Sequence, residues 1–180
     1  MTDNVPVDKP AWRAILTARR AQLSAEQIAT ARRAVADTVL RAADEAQWRR
    51  IAAYEPLRTE PGSTELLSAL RARGVDVVVP ALLSDRDLDW VRWGDDQPRL
   101  GVDAIATVDA VLVPALAATS RGVRLGRGGG SYDRALQRVS AGTPVIALLY
   151  AEELVDELPQ DPWDRPVTAV ATPIGWHQLG

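Results

Sequence analysis

Apolar positions along the chain repeat with two periods, one of helices and one of strands. Pro10 suits the first turn of a helix, which predicts a first helix over 10–22 and leaves residues 1–8 as a loose, flexible start. Ser24 followed by Gln27 has the form of a capping box, so a second helix begins there. Ile28, Ala31, Val35, Val39, Ala42 and Ala46 then recur at spacings of three, four or seven, one stripe along a long helix that docks on a sheet. Arg32, Arg33, Arg49 and Arg50 read as solvated or helix-end charges with no function. Runs at 50–54, 75–79, 110–114, 143–150 and 168–171 have strand length, and the helical pattern at 64–73 sits between Ser63 as cap and Gly74 as stop. A strand, loop, helix and strand in succession make a right-handed parallel crossover. Residues 88–93 alternate instead, as an antiparallel strand near an edge does, with Trp90 and Trp93 in opposite phase so that at most one faces the core. A short helix is expected at 151–157. These elements predict an α/β fold: one domain over 1–180, with a mostly parallel mixed sheet of about five to seven strands flanked by helices.

Composition narrows the chemistry. A length of 180 residues suits a single domain, and a net charge of -3 gives no electrostatic case for nucleic acid. The chain has no cysteine, which removes disulfides and thiolate catalysis, and its single histidine, His177, lies near the end, which removes histidine-based zinc sites and Ser-His-Asp catalysis. No apolar run is long enough to cross a membrane and the start lacks a signal core, so no membrane partner and a cytoplasmic location are expected. Among 21 basic residues Lys9 alone is lysine. A compact ammonium suits a nucleotide phosphate, and chance retention accounts for it equally well.

The stretch from Gly122 to Arg134 carries the strongest signal. It follows the apolar run 110–114 and leads into Tyr132, Leu136 and Val139 at helical spacing, so it reads as strand, glycine-rich loop, helix. Gly128, Gly129 and Gly130 let the backbone approach a ligand, the first turn of the following helix favours an anion, and Arg124 and Arg127 add charge that grips phosphate. Asp133 is the odd member, because a carboxylate beside phosphate calls for a cation between them, usually magnesium. A Walker loop would need Gly-Lys-Ser/Thr at its end, and a dinucleotide fingerprint from Gly126 would need glycine where Ser131 stands. A plain glycine-rich turn remains the alternative on these residues alone.

Val113-Pro114-Ala115-Leu116, followed by Gly122 to Arg134 with Arg124, Leu125, Gly126, Gly128, Gly130, Tyr132 and Asp133 in register, resembles the signature of the 5-formyltetrahydrofolate cyclo-ligase family. Lys9 and Arg13 resemble the family's ATP-binding start, Glu60-Pro61-Gly62-Ser63 its Glu-x-x-Thr element, and Asp164 the acid before its last strand. Ser131 stands where the first of two tyrosines is expected, and Ala118-Thr119 replaces a Phe-Asp pair. The resemblance implies a fold similar to sugar-phosphate isomerase and CoA transferase folds. It also implies ATP- and magnesium-dependent closure of 5-formyltetrahydrofolate to 5,10-methenyltetrahydrofolate. It implies catalytic roles for Arg124, Arg127 and Asp133, and ATP binding by Lys9, Arg13, Arg124, Gly126, Arg127, Gly128, Gly129, Gly130 and Tyr132. The reduced folate falls to Glu55, Glu60, Arg127, Gly128, Gly129, Gly130 and Ser131, and magnesium to Asp133 and Asp164. The expected partners are ATP and reduced folate, with a monomer favoured. A non-catalytic nucleotide-binding regulator on the same fold, or a ligase for another heterocycle, are the alternatives.

Overall fold

The computed structural model describes residues 8–94 and 98–180. Helix α1 spans Lys9–Ala21 and α2 spans Ala25–Ala46, followed by β1 (Arg50–Ala52), α3 (Thr64–Ala72), β2 (Asp76–Leu82) and β3 (Leu88–Arg92). The second half holds β4 (Ala110–Pro114), β5 (Ala117–Thr119), β6 (Arg124–Leu125), α4 (Ser131–Ala135), β7 (Val145–Leu148), β8 (Leu154–Val155), β9 (Ala169–Thr172) and β10 (Gly175–Gln178). The expectation of a loose start falls outside the described residues except for Asp8, which is ordered enough to cap α1 by accepting from the Ala11 amide at 2.8 Å. The loop acids Asp95 and Asp96 also lie outside them.

The main sheet runs β10-β9-β7-β4-β1-β2-β3. Its five inner strands are parallel, as their unbroken apolar sequences require, and the antiparallel β3 and β10 close the two edges. Side chains alternate between two cores. Ile51, Val77, Leu112 and Ile146 face Val35 and Val39 of α2 and Leu66 and Leu70 of α3, while Ala52, Val78, Val111, Val113 and Ala147 face Ile105, Trp90 and Leu136. Trp90 is fully buried on the second face and Trp93, three residues on, packs half-buried against the first, as opposite phase demands.

Several expectations are corrected. The capping box at Ser24 and Gln27 forms, but the stripe of α2 ends on Thr38, Val39 and Ala43, and Ala46 is exposed: at 3.6 residues per turn the face drifts away from positions spaced by seven. The helix expected at 151–157 is a short 3₁₀ turn at Ala151–Glu153, after which Leu154 and Val155 pair with β5 in parallel. β10 was absent from the expectation, although Pro173 and Gly175 supply the turn that returns it along β9.

A second sheet, β6-β5-β8, lies beneath α1. Trp12 and Leu16 of α1 pack on Leu116, Ala117 and Leu125 there. Arg20, near the end of the same helix, is 2% exposed. Its Nε and Nη2 each donate to Glu153 at 2.7 Å, and Nη2 also donates to the Ala115 carbonyl at 2.7 Å. The Tyr150 ring lies 5.5 Å from its guanidinium carbon. Replacing one member of a buried pair strands the other charge, which costs about 3–5 kcal/mol. Arg20→Met is therefore expected to lower the free energy of urea unfolding by about that amount, and Arg20→Met with Glu153→Gln to recover part of the loss. A loss for the single variant below about 1 kcal/mol would show that the pair is not what anchors α1.

Candidate functional site

The carboxyl ends of the parallel strands point to one side of the sheet, where loops of open α/β folds gather ligands. The glycine-rich stretch arrives there by a route the sequence did not reveal. After β4 the chain forms a hairpin, β5 and β6, closed by the Thr119 hydroxyl accepting from the Val123 amide at 3.2 Å. Gly122 is its turn residue, with φ +82° and so little space that a Cβ would lie 2.4 Å from the Val167 carbonyl oxygen. The ligand loop proper thus begins at Gly126, and the expected succession of strand, loop and helix contains an extra hairpin. The helix beyond, α4, has only five residues, so its dipole adds little, and what the loop can offer an anion is its own amides and the nearby cations.

A cleft of ≈ 410 Å³ is lined by residues 124–133, by Asp161, Trp163 and Asp164, and by Lys9 and Arg13 of α1. Lys9 Nζ donates to Asp161 at 2.6 Å and to Asp164 at 2.5 Å. Burial alone would lower the pKa of this ammonium, but the hydrogen bonds and charges of the two carboxylates outweigh it and hold the group above the usual lysine range. Arg13 Nε donates to the Gly126 carbonyl at 2.9 Å. Gly128, at φ +103°, lies against the same guanidinium, 3.2 Å from where its Cβ would be to Arg13 Cζ. Arg13 therefore props the loop from below.

Arg124, expected to grip phosphate, lines the cleft and is held by two partners within the protein. Its side chain is 4% exposed, with Nη2 donating to Asp133 at 2.7 Å and Nη1 to the Pro114 carbonyl at 3.3 Å. It is a strut that aims Asp133 into the cleft. Asp133 and Asp164 both line the cleft, each already beside a cation, and no group of three or more His, Cys, Asp or Glu suited to a metal occurs among the described residues. Magnesium commonly takes one or two carboxylates and completes its shell with phosphate oxygens and water, so this donor set fits that ion together with a phosphate ligand.

A second depression of ≈ 320 Å³ adjoins the first and shares Pro114, Arg127 and Tyr132 with it. Glu60 lies in it, 3% exposed, accepting from Arg127 Nε at 3.1 Å and from the Leu57 amide at 2.8 Å. Arg32, read from the sequence as a solvated charge, donates to the carbonyls of Leu57, Arg58 and Glu60 and so fixes this loop. Nothing in helical spacing signals such a reach. Glu55 is exposed at the rim and accepts from Trp93 Nε1 at 3.2 Å. The hydroxyls of Tyr54 and Tyr132 are buried here with no hydrogen-bond partner among the described residues. Burial pushes both phenols well up, with Glu60 adding to the shift, so they stay protonated donors. Ser131, with Gly128, Gly129 and Gly130, lines the first depression and not the second. Asp161, Trp163, Arg32 and Tyr54 are the members that sequence reasoning missed.

The family model for 5-formyltetrahydrofolate cyclo-ligases matches residues 5–173. The chain belongs to that family. It is 37% identical over 143 residues to a 5-formyltetrahydrofolate cyclo-ligase of Mycolicibacterium smegmatis, covering 69% of this chain and 74% of the relative. To the cyclo-ligase of Haemophilus influenzae it is 28% identical over 82% of this chain and 88% of that one. The fold matches a 5,10-methenyltetrahydrofolate synthetase from Mycoplasma pneumoniae with a TM-score of 0.80, at 23% identity and over 92% of this chain and 99% of that one. The corresponding Aquifex aeolicus protein matches at 0.76, over 95% and 92%.

The two neighbouring glycines of the loop separate conformational need from available space. Gly128 combines positive φ with contact to Arg13, whereas a Cβ on Gly129 would meet nothing nearer than Ser131 Oγ at 3.8 Å. In thermal unfolding without ligand, Gly128→Ala is expected to cost about 1 kcal/mol or more and Gly129→Ala less than about half of that. Equal losses would contradict the propped-loop geometry.

Proposed function

We propose that this cyclo-ligase family member closes 5-formyltetrahydrofolate to 5,10-methenyltetrahydrofolate, using ATP with magnesium and releasing ADP and phosphate. The observation that carries the reading is the meeting of two depressions at Pro114, Arg127 and Tyr132. A triphosphate in the first would bring its terminal phosphate to the wall shared with a folate in the second. An amide oxygen leaves poorly. Transfer of a phosphoryl group to the formyl oxygen makes it a phosphate ester, and the 10-nitrogen can then close the ring. Such a reaction asks for positioning and charge neutralisation more than for a protein nucleophile, which agrees with a chain lacking cysteine.

Each expected residue has a part in this reading. Lys9 and Arg13 would meet the phosphates, with backbone amides of Gly126 to Gly130 as further donors. Arg127, 41% exposed at its side chain and tied to Glu60, would pass between phosphate and formyl group. Arg124 would act by orienting Asp133. Glu60 would accept from the pterin ring, Glu55 would border it, and the protonated Tyr132 hydroxyl would donate to the reacting oxygens. Ser131, on the phosphate side, would stand at the nucleotide. Asp133 and Asp164 would hold magnesium, which supplies positive charge to the phosphates. The charge balance supports this: phosphates that draw Lys9 away leave Asp161 and Asp164 unpaired beside new negative charge, so a divalent cation must enter with them.

The departure at Ala118-Thr119 does not weaken the reading. Both residues are fully buried in β5, where Thr119 closes the hairpin, and neither lines the cleft.

Mixing the protein with magnesium-ATP and 5-formyltetrahydrofolate is expected to raise the absorbance of the methenyl product, and turnover without ATP would overturn the phosphoryl-transfer route. Asp133→Asn, which removes charge at constant shape, is expected to lower kcat by about 10²-fold or more, the size seen when one group that stabilises developing charge is lost. Near-normal turnover of that variant at low magnesium would leave Asp133 as a partner of Arg124 only.

A further inference from the structure

Trp163 has a placement that neither core packing nor the roles above account for. It is 65% exposed, belongs to none of the apolar clusters, and lines the first cleft. No hydrogen bond among the described residues uses its indole N–H. Its backbone is nevertheless firmly held. Pro162 precedes it, the Asp164 amide donates to the Asp161 carbonyl at 3.0 Å to close a turn around it, and the carboxylates on both sides of it are gripped by Lys9. A large aromatic ring is thus presented to solvent from a fixed turn, on the wall of the cleft that the glycine loop also lines. Leu82, also 65% exposed, and Leu88 line the same cleft at the ends of β2 and β3. The cleft is therefore lined by polar groups, among them Lys9, Arg13 and the loop, and by the apolar side chains of Trp163 and the two leucines.

We propose that Trp163 is the stacking platform for the base of the bound nucleotide, with Leu82 and Leu88 as further apolar lining of the same cleft. The inference rests on the reading of this cleft as the ATP site. A flat, polarisable base matches an exposed indole, and stacking of this kind is sequence-tolerant because every base offers a π face. The folate is the other flat ligand of the reaction, but its depression, defined by Glu60, Tyr54 and Tyr132, does not include Trp163. Trp163 shares its cleft with the phosphate-facing residues instead.

Two ligands that differ only in the base decide the matter: magnesium-ATP and inorganic tripolyphosphate with magnesium. Titration calorimetry is expected to show that Trp163→Ala weakens ATP binding roughly tenfold, in line with stacking contributions of about 1–3 kcal/mol per base, while tripolyphosphate binding is unchanged. Trp163→Phe should retain most of the ATP affinity, and the quench of tryptophan fluorescence on adding ATP to the wild-type protein should disappear in that variant. The KM for 5-formyltetrahydrofolate should stay within about twofold in both variants. An alanine variant that binds ATP as tightly as wild type overturns the inference. Equal loss for ATP and tripolyphosphate overturns it too, because Trp163 then only supports the Lys9 ion pairs, and a loss confined to the folate KM assigns the ring to the other substrate. If the wild-type protein binds no ATP in the same titration, the ATP reading of the cleft fails and the inference with it, an outcome distinct from the variant-specific ones.

Discussion

One buried guanidinium decides where the amino-terminal helix can lie. Arg20 is held by Glu153 through two hydrogen bonds and by the Ala115 carbonyl through a third, so α1 is tied at once to the turn after β7 and to the chain leaving β4. Desolvating such a pair is expensive, and an apolar replacement of both partners could be as stable. What apolar packing does not supply is direction. Trp12 and Leu16 would let α1 slide over the small sheet, whereas a bidentate contact fixes its rotation and register. The consequence appears about two and three turns back along the helix, where Arg13 and Lys9 face the cleft.

The glycine loop is fastened at two points on its amino-terminal side, to different parts of the molecule. Gly122 packs on the Val167 backbone just before β9, exchanging a 2.9 Å hydrogen bond with it, and Arg13 holds the Gly126 carbonyl. The turn with Asp161 and Asp164 lies between these anchors in the chain and is fastened by Lys9. Loop, turn and helix start therefore form one cross-braced unit, while residues 127–130 themselves stay exposed. The bracing sets the loop between two depressions, so that a group held on one side can react with a group held on the other without a large rearrangement.

How much of this was legible in the sequence follows from the range of the forces involved. Capping at Ser24 and Ser63, the parallel apolar strands and the opposite phases of Trp90 and Trp93 are local in origin, and all of them appear as read. The hairpin of β5 and β6 escaped because its strands are two and three residues long and its pairing with β8 spans a gap no period records. Arg32 and Arg20 look alike in the sequence, as charges on helices. Only the tertiary structure shows one gripping a loop and the other buried with a carboxylate. Lys9, Asp133 and the glycines were legible from their own chemistry, Arg13 and Asp164 only through the family resemblance, and all of them line one cleft. Asp161 and Trp163 share that cleft without belonging to any motif, so nothing short of the fold could bring them in.

The two departures from the family's signature show why a mismatch in a motif has no meaning until its side chain is located. Thr119 is sealed inside a hairpin and replaces a potential cleft group with a hydroxyl that holds a turn, so the change is absorbed by local hydrogen bonding. Ser131 is half-buried on the cleft wall, at the start of α4, where side-chain size bears directly on the space left for a ligand. The small side chain there leaves volume in the first depression, not next to Glu60 in the second. Trp163 and the paired carboxylates of the turn line the same cleft, so the effect of a small residue at 131 depends on the whole lining and not on that position alone.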